Sequence, residues 1–436
     1  MTIDSLAFGG SGVARLDGYV VFVQGAVPGD RVRAEVVKRK RSYAEARTVE
    51  LLAPSAERVE PRAAHPGAPW QILPYARQLV EKQAQVGEAL ARIGRFGEPP
   101  VEDILPAAEQ WRYRNKLEYS FGPEAALGFH RPGRWDVIDD VDDDVLASER
   151  VNALRAAVKE WARSERLTPY DRADHTGMLR NLVVREGRRS GQLQARLVTG
   201  PGAVPAESLV AAAPALAGLL WTRTSGVAES TREGDTELLA GIDSIEEDVT
   251  VAGETLAFRI SPHAFFQTNT EMAERLYETV VEIAGLTGRE RVFDLFCGIG
   301  TIALALSTRA REVWGVEVSE SAVADAIGNA RLNGIDNARF FAGDVRTAMR
   351  PLVEEAGEPD VIVVDPPRAG LSQKVVRRVL EAGARKIVYV SCNPTTLAPN
   401  ARQIVDGGYR LATVRPVDMF PQTPHIECVA LLERAG

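Results

Sequence analysis

The sequence predicts a multidomain protein with an OB-like β-barrel in front, a mixed α+β region in the middle and a doubly wound α/β domain at the end. Length is the first reason: 436 residues are too many for one ordinary core, so the chain divides into domains that each bury their own apolar surface. The second is the close turn punctuation of residues 1–60, where Gly9-Gly10-Ser11-Gly12, Asp17-Gly18 and Pro28-Gly29-Asp30 separate short β-branched runs. The third is the alternation of strand-like and helix-like segments from about residue 263 onward.

Composition narrows the class. No apolar run is long enough to span a bilayer, and Met1-Thr2-Ile3-Asp4-Ser5 lacks the basic start and apolar core of a signal peptide. A cytoplasmic globular protein with no membrane association is therefore expected. The three cysteines, Cys297, Cys392 and Cys428, form no CxxC pair, which argues against a disulfide framework or a cysteine-built metal site. Net charge is −8, unlike a protein coated in nucleic acid, but Lys38-Arg39-Lys40-Arg41 is a compact basic run and Asp139-Asp140-Val141-Asp142-Asp143-Asp144 a compact acidic one. Taken alone, each run reads as a solvated face.

In chain order, residues 1–60 supply the barrel, with strands such as Tyr19-Val20-Val21-Phe22-Val23 and Arg31-Val32-Arg33-Ala34-Glu35-Val36-Val37, and the basic run follows the third strand. Residues 61–98 are a Pro-rich joint and a helix, whose face is marked by Leu79, Gln83, Val86, Leu90 and Ile93 and whose end is marked by Gly94 and Gly97. Residues 99–262 are a mixed region with strands expected at 116–121, 182–185, 193–198 and 219–224 and a helix at 148–163. Here arginines interleave with aromatics in Trp111-Arg112-Tyr113-Arg114-Asn115-Lys116, His130-Arg131-Pro132-Gly133-Arg134-Trp135 and Leu179-Arg180-Asn181. Such side chains clamp phosphates and stack on unpaired bases, so Arg112, Arg114, Lys116, Arg131 and Arg180 are candidate RNA contacts. The competing reading makes the aromatics core residues and the arginine stems surface cover.

Residues 263–436 form the α/β domain. Arg291-Val292-Phe293-Asp294-Leu295-Phe296 is a strand, Cys297-Gly298-Ile299-Gly300 a turn that lets the backbone approach a ligand, and Thr301 opens a helix. Val313-Trp314-Gly315-Val316-Glu317 ends in an acid suited to ribose hydroxyls; Asp344 and Asp365 end two further strands. A dinucleotide fold would show Gly-x-Gly-x-x-Gly around a pyrophosphate, whereas Asp294 before this turn suits a cationic sulfonium. Asp294, Gly298, Gly300, Glu317, Asp344 and Asp365 together look like the S-adenosylmethionine site of a class I methyltransferase. The apolar run ending at Val390 places Cys392 just past the carboxyl end of a buried strand, and Cys428-Val429-Ala430-Leu431-Leu432 brings Glu427 to the start of another, so a thiol and a carboxylate face each other. Cys297 and Cys428 read as buried apolar fillers, and His425 as an orienting or packing group.

The front pattern F-G-G-x-G-V-A-R-x-D-G-Y-V-V-F-V-x-G-A-V-P-G-D resembles the TRAM domain, an RNA-binding module, which makes Lys38, Arg39, Lys40 and Arg41 RNA-contact candidates. Phe265-Phe266-Gln267-Thr268-Asn269, Asp365-Pro366-Pro367-Arg368-Ala369-Gly370-Leu371, Ser391-Cys392-Asn393-Pro394-Thr395-Thr396-Leu397 and Phe420-Pro421-Gln422-Thr423-Pro424-His425-Ile426-Glu427 together resemble the RNA uracil-5-methyltransferase family. That resemblance implies Cys392 as nucleophile, Glu427 as the base for the C5 proton, Asp365 and Gln267 lining the uridine and cofactor pocket, Phe296, Thr301 and Glu317 as cofactor contacts, and Phe265 on the RNA. It also implies 5-methyluridine in ribosomal or transfer RNA, made by a monomer on a base that leaves its stack. The chemistry agrees, because C5 of uracil is a poor nucleophile until a thiolate adds to C6. An RNA cytosine-5 methyltransferase, and a non-catalytic RNA-binding protein on the same scaffold, are the alternatives. Several family members with a TRAM front hold an iron–sulfur cluster, but here Ala63-Ala64-His65-Pro66-Gly67-Ala68-Pro69-Trp70-Gln71 and Val145 carry no cysteine. No iron–sulfur cluster is expected, and an apolar or Pro-rich joint should stand in its place.

Overall fold

The structure, a computed structural model, describes residues 1–171, 174–225, 231 and 234–435. They divide into two compact units, one built from residues 1–110, 282–285 and 346–436 and the other from 111–281 and 286–345.

The first unit opens with strands β1 (Ser5–Leu6), β2 (Gly12–Leu16), β3 (Tyr19–Gln24), β4 (Arg31–Arg39) and β5 (Tyr43–Ala53), in the sheet order β1-β2-β3-β5-β4. A bridge between Thr2 and Arg31 and the Val32 N–H donating to Met1 O bring the chain start onto β4, curling the sheet around Val21, Val23, Val32 and Ala46. Asp30 is fully buried and held below the usual carboxylate range: burial opposes this, but Arg58 and the Val27 and Ser55 N–H groups outweigh it.

The joint is stapled by amide groups. Gln71 accepts from the Arg62 N–H and donates to Ala63 O, and Trp70 is buried with Leu6, Val27 and Leu73. The helix α1 (Tyr75–Glu88) follows; of the expected face Val86 and Leu90 are fully buried, Leu79 and Gln83 are half-buried and Ile93 is exposed, and Gln78, Glu81, Lys82 and Gln85 are buried beside it. Gln78 and Lys82 are interior because they grip a polar loop, described below.

The second unit holds a seven-stranded sheet. Its strands are β6 (Lys116–Phe121), β7 (Leu127–Arg131), β8 (Arg134–Asp140), β9 (Leu179–Glu186), β10 (Leu193–Thr199), β11 (Gly218–Arg223) and β12 (Asp235–Gly241), in the order β12-β11-β10-β9-β6-β7-β8. Helix α2 (Glu149–Ser164), capped by Ser148 accepting from the Val151 N–H, and α3 (Ala206–Ala212) cover one face, where Leu117, Tyr119, Leu182, Val184, Ala195 and Leu197 form the core. A hairpin of β13 (Ile245–Val251) and β14 (Glu254–Ile260) and helix α4 (Thr270–Ala284) come next. Then β15 (Arg291–Leu295), α5 (Thr301–Ser307), β16 (Glu312–Glu317), α6 (Glu320–Leu332) and β17 (Ala338–Ala342) alternate, with the strands parallel in the order β17-β16-β15.

Helix α7 (Val345–Ala356) leads back to the first unit, where β18 (Val361–Val364), α8 (Gln373–Glu381), β19 (Lys386–Ser391), α9 (Pro394–Asp406), β20 (Tyr409–Val417) and β21 (Glu427–Arg434) follow. β18 and β19 are parallel, and β21 runs antiparallel between β19 and β20. One expected boundary moves. Residues 99–110 belong to the first unit, because Val101 and Leu105 bridge to Val414 and Val417 on β20. The hairpin of β13 and β14 packs with α6, since Asn329 and Asn333 accept from the Arg259 and Ala257 N–H groups. No helix among the described residues is long and apolar enough to cross a membrane.

Candidate active site

In the first unit, β19 is wholly apolar and enclosed from Ile387 to Val390, and its register against β21 pairs Val390 with Val429 and Ser391 with Cys428. Cys392 follows the last pair of this ladder on one strand and Glu427 precedes it on the other, near enough for the Glu427 charge to act on the Cys392 thiol. Cys392 is half-buried, while Glu427 and Cys428 are buried. β18 ends in register with Tyr389, so Asp365 leaves the sheet on the same edge.

Electrostatics at this edge is governed by burial. Burial and then the Asp365 charge push the Glu427 carboxyl well above its usual range, with Arg368 opposing. Burial raises Asp365 to about 7. The Cys392 thiol is pushed up to about 11 by burial and by Glu427, again with Arg368 opposing. Burial thus favours the protonated form of all three groups.

Two loops fix it. Asn393 caps α9, accepting from the Thr395 N–H at 3.0 Å, and its Nδ2 donates to Arg368 O at 3.1 Å. Asn400 Oδ1 accepts from the Leu371 N–H at 2.8 Å and the Tyr389 hydroxyl at 3.0 Å, tying the loop after Asp365 to α9. Upstream of Glu427, α1 clamps the chain: Gln78 Nε2 donates to Gln422 Oε1 at 2.8 Å, the Gln422 N–H donates back to Gln78 Oε1 at 2.9 Å, and Lys82 donates to Phe420 O. This holds Gln422 at φ 67°. A Cβ on Gly10 of the barrel would lie 2.9 Å from Pro424, so the barrel seats on the same loop.

In the second unit, Asp294 on β15, Glu317 on β16 and Asp344 after β17 stand at the carboxyl ends of parallel neighbours. Asp294 is fully buried. Phe296, Gly298 and Gly300 all take positive φ, which turns the chain sharply out of β15. Glu317 braces the turn, accepting from the Gly298 N–H at 3.2 Å and the Ser319 N–H at 2.9 Å. A Cβ at Gly298 would meet nothing within 4 Å, whereas one at Gly300 would meet Phe340 at 3.1 Å. Gly300 is a packing requirement; Gly298 faces open space, as a turn receiving a cofactor must, and the acids match its hydroxyl and amino donors.

The family model for tRNA (uracil-5-)-methyltransferase matches residues 207–435, and a TRAM domain model matches residues 1–49. The chain belongs to the tRNA (uracil-5-)-methyltransferase family. This methyltransferase is 39% identical to an uncharacterized RNA methyltransferase of Chlorobaculum tepidum, over 96% of this chain and 92% of the relative. It is 38% identical to another of Halalkalibacterium halodurans, over 99% and 96% of the two chains. Among solved structures it resembles the Pyrococcus abyssi tRNA (uracil-54, C5)-methyltransferase in complex with S-adenosyl-L-homocysteine, with TM-score 0.82 and 28% identity over 99% of each chain. It is an S-adenosylmethionine-dependent RNA methyltransferase.

The expected RNA contacts of the methyltransferase are scattered in character. Arg39, Lys40 and Arg41 are exposed, Lys38 pairs with Glu45 at 3.2 Å, and the Tyr19 hydroxyl locks their turn by donating to Lys40 O and Tyr43 O. The acidic run is largely the solvated face expected, with Asp140, Asp142 and Asp143 exposed, but its members are paired and Asp144 is buried. Asp143 takes Arg112 through two bonds of 3.0 Å, Asp139 takes Arg131, Asp140 takes Lys159, and buried Asp144 accepts from the Tyr119 hydroxyl. Arg112 and Arg131 thus have intramolecular partners, as has Lys116 in Glu118; Arg114 is half-buried, and Arg180 is buried with its guanidinium 3.8 Å over the Tyr170 ring. Phe265 is 63% exposed beside buried Phe266 and Gln267. Asn115 holds that loop, its Nδ2 donating to Gln267 O and Thr270 Oγ1, both at 2.9 Å. Asn115, Gln78, Lys82 and Asn400 were missed as site supports; a polar residue at a core-facing position is the signal that marks each of them.

Proposed function

We propose that this methyltransferase converts a uridine of transfer RNA to 5-methyluridine, with Cys392 as nucleophile and Glu427 as the base. The register that brings Cys392 and Glu427 to the same end of a buried ladder carries the reading. Transfer RNA is favoured over ribosomal RNA by the full-length likeness to a tRNA (uracil-54, C5)-methyltransferase.

Cys392 gives up its proton to solvent and its sulfur bonds to C6, moving the C5–C6 π pair toward C5 and O4, while Glu427 enters the reaction as the carboxylate, its own proton also lost to solvent. The Arg368 cation favours the thiolate as it forms, against the opposing burial. Asp365, titrating near 7, serves the uracil edge as a hydrogen-bonding partner at neutral pH. S-adenosylmethionine, held by Gln267, Asp294, Phe296, Gly298, Gly300, Thr301, Glu317 and Asp344, supplies the electrophilic methyl group. Glu427 then takes the C5 proton; that pair re-forms the double bond and the C6–S bond breaks, returning the thiolate. Burial makes Glu427 a stronger base than an exposed carboxylate, as removal of a carbon-bound proton requires. The barrel, with Lys38 to Arg41, and the middle region with Phe265 hold the RNA.

The test is nucleoside mass spectrometry on unmodified transfer and ribosomal RNA pools incubated with the protein and S-adenosylmethionine. New 5-methyluridine in transfer RNA, absent with Cys392→Ala, is the expected result. Product only in ribosomal RNA would move the substrate, 5-methylcytidine would move the base, and no product in either pool despite RNA and cofactor binding would sink the enzyme reading.

A further inference from the structure

The seven-stranded sheet of the second unit has one face in the apolar core and another that is unexpectedly charged. Register puts Lys116 directly opposite Arg185, and places Glu118, Val183 and Arg196 side by side on β6, β9 and β10. Alternation along the strands brings Lys116, Glu118, Arg185 and Arg196 to the same face. Arg185 and Arg196 are each 4% exposed. Glu118 bonds to Lys116 at 2.8 Å and also accepts from Thr231. Arg196 donates to Thr222 Oγ1 and Thr231 O, and the Glu118 charge acts on it from β6. Arg185 donates from Nη2 to Ala264 O at 2.9 Å, while its Nη1 is buried with no hydrogen-bond partner among the described residues. His263, exposed and bonded to Thr236, stands at the same edge, two residues before Phe265.

Like charges placed directly opposite on neighbouring strands repel, and burial removes the water that would screen them. Burial and then Arg196 bring Arg185 down to about 10, and burial also lowers Lys116, Arg196 and His263, with the neighbouring cations adding to it at Lys116 and His263. A fold seeking only stability would set apolar residues here, as it does on the opposite face. An unsatisfied arginine in a cation cluster is a site prepared for an anion.

We infer that this sheet face is a phosphate site: Lys116 and His263 form its mouth, Arg185 and Arg196 its floor, and its ligand is a backbone phosphate of the RNA strand beside the target nucleotide. The identification of the phosphate as RNA rests on the function proposed above; the anion site itself does not. Ala264 ties the site to the Phe265–Gln267 loop, so the phosphate and the base-handling segment share one anchor.

The test compares the full-length protein with Arg185→Gln and Arg196→Gln at constant ionic strength. Millimolar inorganic phosphate should raise the wild-type melting midpoint to a plateau, with chloride as the control. Both variants should melt no lower than wild type without phosphate and should lose the response. The slope of log affinity for RNA against log salt should drop by about 0.7–0.9 in each variant, and RNA binding at low salt should weaken about fivefold. S-adenosylmethionine affinity should not change in Arg196→Gln. A wild type indifferent to phosphate, or variants that keep its response, would overturn the site; so would lower-melting variants with an unchanged salt slope, which is the mark of a purely structural pair of arginines. Retention of the phosphate response in a protein that makes no 5-methyluridine would leave the anion site standing and remove only its assignment to RNA.

Discussion

Lys82 Nζ lies 2.5 Å from Asp418 Oδ1 with both side chains fully enclosed, and the Tyr75 hydroxyl donates to the other carboxylate oxygen at 2.8 Å. The pair joins α1 to the loop that delivers Glu427. Removing one partner strands a buried charge, so Lys82→Met should cost about 3–5 kcal/mol, seen as a lower urea midpoint with unchanged slope. The double variant Lys82→Met with Asp418→Leu should recover much of that stability while remaining slow in turnover. Equal loss in single and double variants would show that the ion pair is not the clamp.

On the proposed mechanism Glu427 acts late, after the carbon–sulfur bond has formed. Glu427→Gln should therefore form the methylated adduct and fail to release it, with turnover down by about 10²–10⁴-fold. A denaturant-stable RNA–protein band carrying labelled methyl is the expected readout, absent in Cys392→Ala. A Glu427→Gln enzyme that turns over normally would assign the proton to another group.

Asp365 and Glu427 both hold protons more tightly when folded. For Asp365, ordinarily near 3.8 and raised to about 7, the folded state binds more protons than the unfolded one between those values. Stability should accordingly fall as pH rises from about 4 to about 7, the sign opposite to that of a salt-bridged carboxylate. Asp365→Asn should melt higher than wild type at pH 8 and like it at pH 3.5. Scanning calorimetry across that range checks the sign.

Gly370 and Gly298 should respond differently to alanine. At Gly370, φ is 73° and a Cβ would lie 2.7 Å from Asn400 Oδ1, an atom already held by Leu371 and Tyr389, so Gly370→Ala should cost about 2 kcal/mol and slow catalysis. At Gly298 the space is open, so Gly298→Ala should cost only about 1 kcal/mol, from its left-handed backbone, and should weaken S-adenosylmethionine binding measured by titration calorimetry.

Asn115 Nδ2 reaches both Gln267 O and Thr270 Oγ1. Asn115→Leu should raise the KM for RNA or cofactor severalfold and lower the thermal midpoint, because a buried carbonyl and hydroxyl lose a donor, at about 1–3 kcal/mol. Asn115→Asp, which keeps the shape but not the donors, should do the same.

What the sequence by itself determined is the chemistry and its local framing. Cys392 and Glu427 flank apolar β-branched runs that settle in a buried ladder, and the acids at Asp294, Glu317 and Asp344 stand at or beside the carboxyl ends of strands. Strands β6 and β10 and helix α2 were legible to within a residue or so for the same reason of period and cap. Tertiary structure decided the rest. The polar part of the buried face of α1 reads as solvent in sequence, since Gln78 and Lys82 become interior only once the 418–422 loop supplies their partners. Residues 99–110 look like the start of the middle region until β20 offers them an edge to bridge. The pairing of the acidic run with Arg112, Arg131 and Lys159 likewise belongs to the fold. Apolar periodicity is a property of one segment, but a buried polar group is defined by its partner, and a partner hundreds of residues away, as Asp418 is from Lys82, exists only in three dimensions.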